Sequence, residues 1–223
     1  RLFAMRFTDH SRLAVYGNMN NLNDDRKPGE NDNWSPSDLF GGLTQQQLGG
    51  LDYNIDARSG KYKLSGNAQV KHADNSIVNN TNRTNFLANG DTYDRMVANN
   101  RNHNFTFSTD HQFYFEFKNA NLNIKPRFNY QYYNNKSGYS SLTLNRSFTS
   151  FSKAQLDSLY TPMIGRELIR TAINRNLRNG LSIGHSLEGS VSMESLIKFK
   201  HSPDHITLYA DASLRHATED SFD

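Results

Sequence analysis

The sequence predicts an all-β fold: an antiparallel up-and-down meander of about eight long strands, forming a segment of a transmembrane β-barrel. Three observations predict it. Residues 103–133 alternate apolar and polar side chains over two stretches joined by a short polar turn. Short turns and long connections then follow each other in alternation along the whole chain. Finally, hydrophobic residues make up only 35% of the 223 residues and mean hydropathy is -0.78, so no stretch approaches a transmembrane helix. A barrel wall needs apolar residues only at alternate strand positions.

The hairpin within 103–133 carries the argument. Phe105, Phe107, Phe113, Phe115 and Phe117 share a face with Leu122, Ile124, Phe128 and Tyr130, and these nine residues are the predicted lipid-facing set. Asn104, Thr106, Ser108, Asp110, Gln112 and Glu116 fall on the other face, with Asn123, Lys125, Arg127 and Asn129. A period of two sends successive side chains to opposite faces of a strand. Pro126 lacks an N–H for the ladder, so a bulge or an irregular edge is expected there.

Taken in order, Phe3–Phe7 and Leu13–Met19 alternate around the turn Thr8–Ser11. The Asn-, Asp- and Gly-rich stretch 21–44 reads as a long loop presenting Trp34 at the surface. Gly49–Asp56 and Lys61–Lys71 form a second hairpin about Arg58-Ser59-Gly60. Residues 73–100 read as a second long loop, with a short strand or helix near Asn85–Met96. The hairpin of 103–133 comes third, and 134–172 reads as a third long loop. Within it Ser152 caps a predicted helix over Ser152–Tyr160, with Leu156, Leu159 and Tyr160 on one side and Pro162 as its stop. The fourth hairpin starts near Leu177 and turns at His201–Asp204. The three long loops are expected on the extracellular side, and 1–223 is read as one barrel segment. Arg1–Arg6 lacks a signal-peptide run and reads as a strand entered partway, so a processed form or a fragment is expected.

Several chemistries are weighed and set aside. A net charge of +3, with scattered basic residues, gives no nucleic-acid footprint. There is no cysteine for a thiolate site. Around Ser186, a nucleophile elbow would need glycine where Glu188 stands. His201 and His205 flank a turn and read as solvated. Asp24, Asp25, Glu30 and Asp32 lack EF-hand spacing and read as a solvated loop. No cofactor and no enzymatic activity are expected. The lumen-facing candidates are Arg12, Asp52, Asp56, Lys61, Lys63, Glu116 and Arg127, a mixture that favours no particular solute. Tyr53, Tyr62, Phe113, Phe117, Tyr130 and Tyr132 are placed near strand ends as an aromatic girdle.

Local phrasing adds a resemblance. Arg12–Asn23 running into Leu22–Gly29, Gly49-Gly50-Leu51-Asp52-Tyr53, Gly66–Val70, Thr84–Leu87 and Gly90–Tyr93 resemble the barrel region of Bacteroidota outer-membrane proteins related to TonB-dependent receptors. That resemblance implies outer-membrane location and nutrient uptake through a larger barrel. It also implies outer-membrane lipid, a plug domain, the TonB system and a surface lipoprotein as partners. A small closed eight-stranded barrel with a structural or adhesive role, and a soluble all-β carbohydrate-binding module, are the alternatives.

Overall fold

In the computed structural model, residues 2–21, 43–158, 170, 172–200 and 203–222 are described. They form one eight-stranded antiparallel sheet in sequence order, not closed into a barrel. The strands are β1 (Leu2–Thr8), β2 (Ser11–Asn20), β3 (Leu43–Asp56), β4 (Tyr62–Asn85), β5 (Thr92–Glu116), β6 (Ala120–Leu144), β7 (Ala172–Lys198) and β8 (His205–Phe222). The all-β meander read from the sequence is therefore present. Trp34, most of 21–44, and Leu159 to Pro162 lie outside the described residues.

The stretch 73–100 is not a loop. β4 continues to Asn85, residues 86–91 turn, and β5 begins at Thr92. Likewise 134–144 is the upper part of β6, and β7 begins at Ala172. These upper strands are rich in Asn, which is depleted in strands, and their Ser, Thr and Arg do not alternate with apolar residues. They are held by ladder bonds to neighbours, with unbroken register from Tyr62↔Phe115 to Asn85↔Thr92. Strands of 24 to 27 residues run roughly 80–90 Å at about 3.3 Å per residue.

Pro126 makes no bulge. On the β7 side the register passes straight through Pro126↔Val191. On the β5 side it is the same above and below, but the pairings of His111 with Pro126 and Gln112 with Lys125 are missing. A single absent N–H donor accounts for both gaps. The register shift lies higher, between Thr143 and Leu144 against β7.

Two turns depend on glycine at positive φ. Gly60 (φ 70) donates its N–H to Ala57 O at 2.9 Å, and Gly90 (φ 114) donates to Leu87 O at 3.1 Å. Above β6, a 3-10 turn (Phe148–Ser150) leads to helix α1 (Lys153–Ser158). Its cap is reciprocal, as the Ser152 reading required. Gln155 N donates to Ser152 Oγ at 3.3 Å, and Ser152 N donates to Gln155 Oε1 at 2.8 Å. Leu156 is thereby buried against Leu142 and Leu144, with Tyr93, Phe148, Phe151 and Ala172 around them.

Register fixes which side chains share a face. Phe105↔Tyr132, Phe107↔Tyr130, Phe113↔Ile124 and Phe115↔Leu122 are directly opposed, as are Val70↔Phe107 and Leu64↔Phe113. Leu13, Val15, Leu51, Ile55, Met193, Val191, Leu208 and Leu214 continue the same outer face. On β5 the apolar band from Phe105 to Phe115 runs about 33 Å along the strand, or about 25 Å along the normal at a tilt of ~40°. Above it the same face turns polar, with His103, Arg101 and Asn99 on β5 and Asn134 and Lys136 on β6. Tyr130 and Tyr132 thus mark the upper limit of the band from mid-β6, not a strand end.

β1 inverts the pattern. The turn pairs Thr8 with Ser11, so Phe3 faces Tyr16, Met5 faces Ala14 and Phe7 faces Arg12, all on the polar face. The Arg12 guanidinium carbon lies 5.9 Å from the centroid of the Phe7 ring.

Candidate functional site

The nine predicted lipid-facing residues fall on one face. Phe105, Phe107, Phe113 and Phe115 stand on β5, and Leu122, Ile124, Phe128 and Tyr130 on β6. Phe117 follows at the turn and is 59% exposed. Edge or tilted ring contacts join Phe105 to Tyr130 and Phe107 to Phe128, at centroid distances of 6.2 and 5.9 Å. Next to Thr109, a hydrogen-bonded polar pair interrupts this face at mid-band. His111 stacks on Phe113 at 5.8 Å, and its Nδ1 lies 2.9 Å from Tyr53 Oη in a hydrogen bond. Gly66 lies between them in the ladder, so the two side chains meet above a bare backbone.

The opposite face gathers the predicted lumenal charges. Arg12 opposes Asn54, Asp52 opposes Asn67, Asp56 opposes Lys63 and Glu116 opposes Asn121. Lys61 precedes β4, and its carbonyl accepts from Glu116 N at 2.7 Å. Arg127 Nε lies 2.8 Å from Asp110 Oδ2, and Arg215 Nε lies 3.0 Å from Glu188 Oε1. Both pairs are exposed and directly cross-strand, so each contributes at most about 1 kcal/mol. Their effect is to fix side-chain direction on a wet surface. A concavity of about 390 Å³ is bounded by Arg12, Asp52, Asn54, Asn67, Asp110 and Gln112. Another of about 540 Å³ is bounded by Asp56, Lys63, Tyr114 and Glu116. The face is therefore a continuous field of hydrogen-bond donors, acceptors and both signs of charge, with no assembled nucleophile and base among the described residues. Ser186 sits mid-strand opposite Gln131, without the turn a nucleophile elbow needs.

Higher on β2 and β3 this face closes. Ala14, Tyr16, Asn18, Thr44, Gln46 and Leu48 are all buried. The Tyr16 ring covers Gly50, where a Cβ would collide with it, and Tyr133 covers Gly184 in the same way. Asn75 Nδ2 donates to Thr44 Oγ1 at 2.9 Å.

At the strand tips one carboxylate is locked into a network. Thr143 Oγ1 donates to Asp94 Oδ1, and Asn85 Nδ2 to Asp94 Oδ2, each at 2.7 Å. The Thr143 bond first, then the Asn85 bond and the nearby Arg83 charge, hold the Asp94 carboxyl below the usual carboxylate range. Because the folded value is depressed, the stabilisation is present above the unfolded value of about 3.9 and lost as pH falls through the folded one. Amide protection near residues 85–95, corrected for intrinsic exchange, should therefore drop below about pH 4 relative to residues 105–115. In Asp94→Asn that differential should vanish; an unchanged acid response would remove Asp94 as its source.

Sequence reasoning did not find His72, Asp74 and His103 as a group. Reading 73–100 as loop hid the fact that Asp74 and His103 are ladder partners. No protein-family model matches the chain, and no curated protein matches it.

Proposed function

We propose that the chain is wall of an outer-membrane β-barrel, a receptor or transporter of the TonB-dependent kind that takes up a nutrient, and that it is not an enzyme. One observation carries this reading: an apolar band of about bilayer height along one face of β2 to β8, with a wet charged face behind it. Lipid covers the outer face, and the polar face lines a lumen where solute and a plug domain meet it. Among the described residues, β1 and β8 each pair with one neighbour only. Lipid satisfies no backbone donor, so further strands are proposed to flank them, within a larger barrel. The open edges weigh against the small closed barrel, and the one-sided apolar band against a soluble carbohydrate-binding module.

The apolar band reaches the turns near Ser59, Asn119 and Pro203, whereas the strands overshoot it at the other end. The overshooting end, including 86–91 and 145–158, is accordingly proposed to lie outside the cell, with a surface lipoprotein as partner on that side and the TonB system on the opposite side. Protease added to whole cells should cut at 86–91 or 145–158 first. Cleavage confined to the turns near Ser59, Asn119 and Pro203 would reverse the orientation. A protein that is monodisperse in plain buffer, without detergent or refolding, would remove the membrane reading.

A further inference from the structure

Just above the apolar band, β4 and β5 bring three metal-ligating side chains together. Asp74 and His103 are directly opposed in the ladder, and His72 is the next outer-face residue on β4. One ligand atom from each of His72, Asp74 and His103 lies within 4.8 Å of the others. The His72 and His103 rings meet edge-on at 4.6 Å. His103 Nδ1 is 3.0 Å from Asp74 Oδ1, and their side chains are 40% and 29% exposed. The Nδ1 of His72 is buried, with no hydrogen-bond partner among the described residues. A buried imidazole nitrogen left unpaired is costly and calls for a partner.

We propose that His72, Asp74 and His103 form a binding site for a borderline transition-metal dication of the zinc(II) type. Two imidazoles and one carboxylate are a recurring ligand set for such ions, and a fourth position stays open to an outside ligand. Calcium and magnesium are excluded by the donor set, since they take oxygen ligands. Beside the cluster, Arg101 opposes Lys136 on the rim of a cavity of about 270 Å³ that also borders Asp74 and His103. These cations weaken the attraction for a dication but favour an anion in the open position. Gln45 and Gln47 of β3 and Asn134 of β6 are the neutral polar neighbours on the remaining sides.

The test is titration of the intact, untagged protein with zinc(II) and cobalt(II), in detergent or in plain buffer as its solubility requires. One equivalent should bind, and cobalt(II) should give the intense visible bands of a four- or five-coordinate site. His72→Ala and His103→Ala should each weaken binding by about tenfold or more, whereas His185→Ala and His216→Ala should leave it unchanged. Arg101→Gln should tighten it. If the His72→Ala/His103→Ala double variant, with unaltered circular dichroism, binds as tightly as the parent protein, the site is wrong. The readout does not depend on a membrane, so this outcome leaves the barrel reading standing, and failure of the barrel reading leaves the site testable.

Discussion

Replacing Phe113 with arginine is expected to cost roughly 2–4 kcal/mol of folding free energy in phospholipid vesicles. Phe113 lies one outer-face position inside the band's lower limit at Phe115, opposed by Leu64 on one side and Ile124 on the other, which puts the expected cost at the low end of that range. In the proposed bilayer a guanidinium there would have no water, and its ladder partners Leu64 and Ile124 offer no carboxylate. Phe115 stands one outer-face position nearer the turn, where an arginine can reach the interface, so its replacement should cost less. Thr106→Arg is the control. Its side chain shares the polar face with Gln131, and the penalty should be within about 1 kcal/mol. Urea titration of the refolded protein in vesicles separates the three. Equal penalties for Phe113→Arg and Thr106→Arg would mean that both faces pack against protein, and the lipid assignment would fall.

The second large effect belongs to a glycine. A Cβ on Gly66 would collide with the His111 ring nitrogen and approach Asp110 O to 2.7 Å. Gly66→Val therefore has to push His111 aside and break its hydrogen bond to Tyr53 Oη. Overpacking costs about 1–3 kcal/mol and the lost bond about 1 more, so the variant should be destabilised by roughly 2–4 kcal/mol. Gly189 occupies the same outer face of β7, and a Cβ there meets nothing within 4 Å. Gly189→Val should be neutral or mildly stabilising, because it adds apolar surface and strand propensity. The same urea titration decides it. Equal destabilisation at the two glycines would show that backbone freedom, rather than the Tyr53–His111 contact, is what Gly66 supplies.

The legible part of this chain is the part touched by two different environments. Where one face is apolar and the other wet, alternation in sequence fixes both strand and face, as at Phe105–Phe117 and Leu122–Tyr130. Where both faces are wet, that signal disappears. Asn79, Asn80, Thr81 and Asn82 look like loop, yet they continue β4 because β5 offers a full ladder opposite them. β1 failed differently. Its alternation is clear, but the Asp9-His10 turn sets the register and carries Phe3, Met5 and Phe7 to the unexpected side. Of the candidate site, the charges of the polar face were visible as the polar phase of each strand. The Asp110–Arg127 pair and the His72–Asp74–His103 group needed the register, which no single strand encodes. The capped helix after Ser152 was legible because its start is set by side chains only three residues apart.

The cluster of Leu142, Leu144 and Leu156 gives the sheet a second, quite different anchorage. It lies about 33 Å along β6 beyond Tyr132, at about 3.3 Å per residue, and it is sealed by the chain's own Tyr93 and Phe148, whose rings meet at 5.9 Å. One end of these strands is solvated by whatever surrounds the band, and the other carries a miniature globular interior. On the proposed membrane reading the two ends would answer to different agents: acyl-chain length and headgroup at the base, chaotrope and temperature at the tip. Since the strands between them are joined mainly by wet backbone bonds, the tip can melt and re-form as a local cooperative unit while the base stays folded. A sheet built this way can vary its tip without renegotiating its hold on the base.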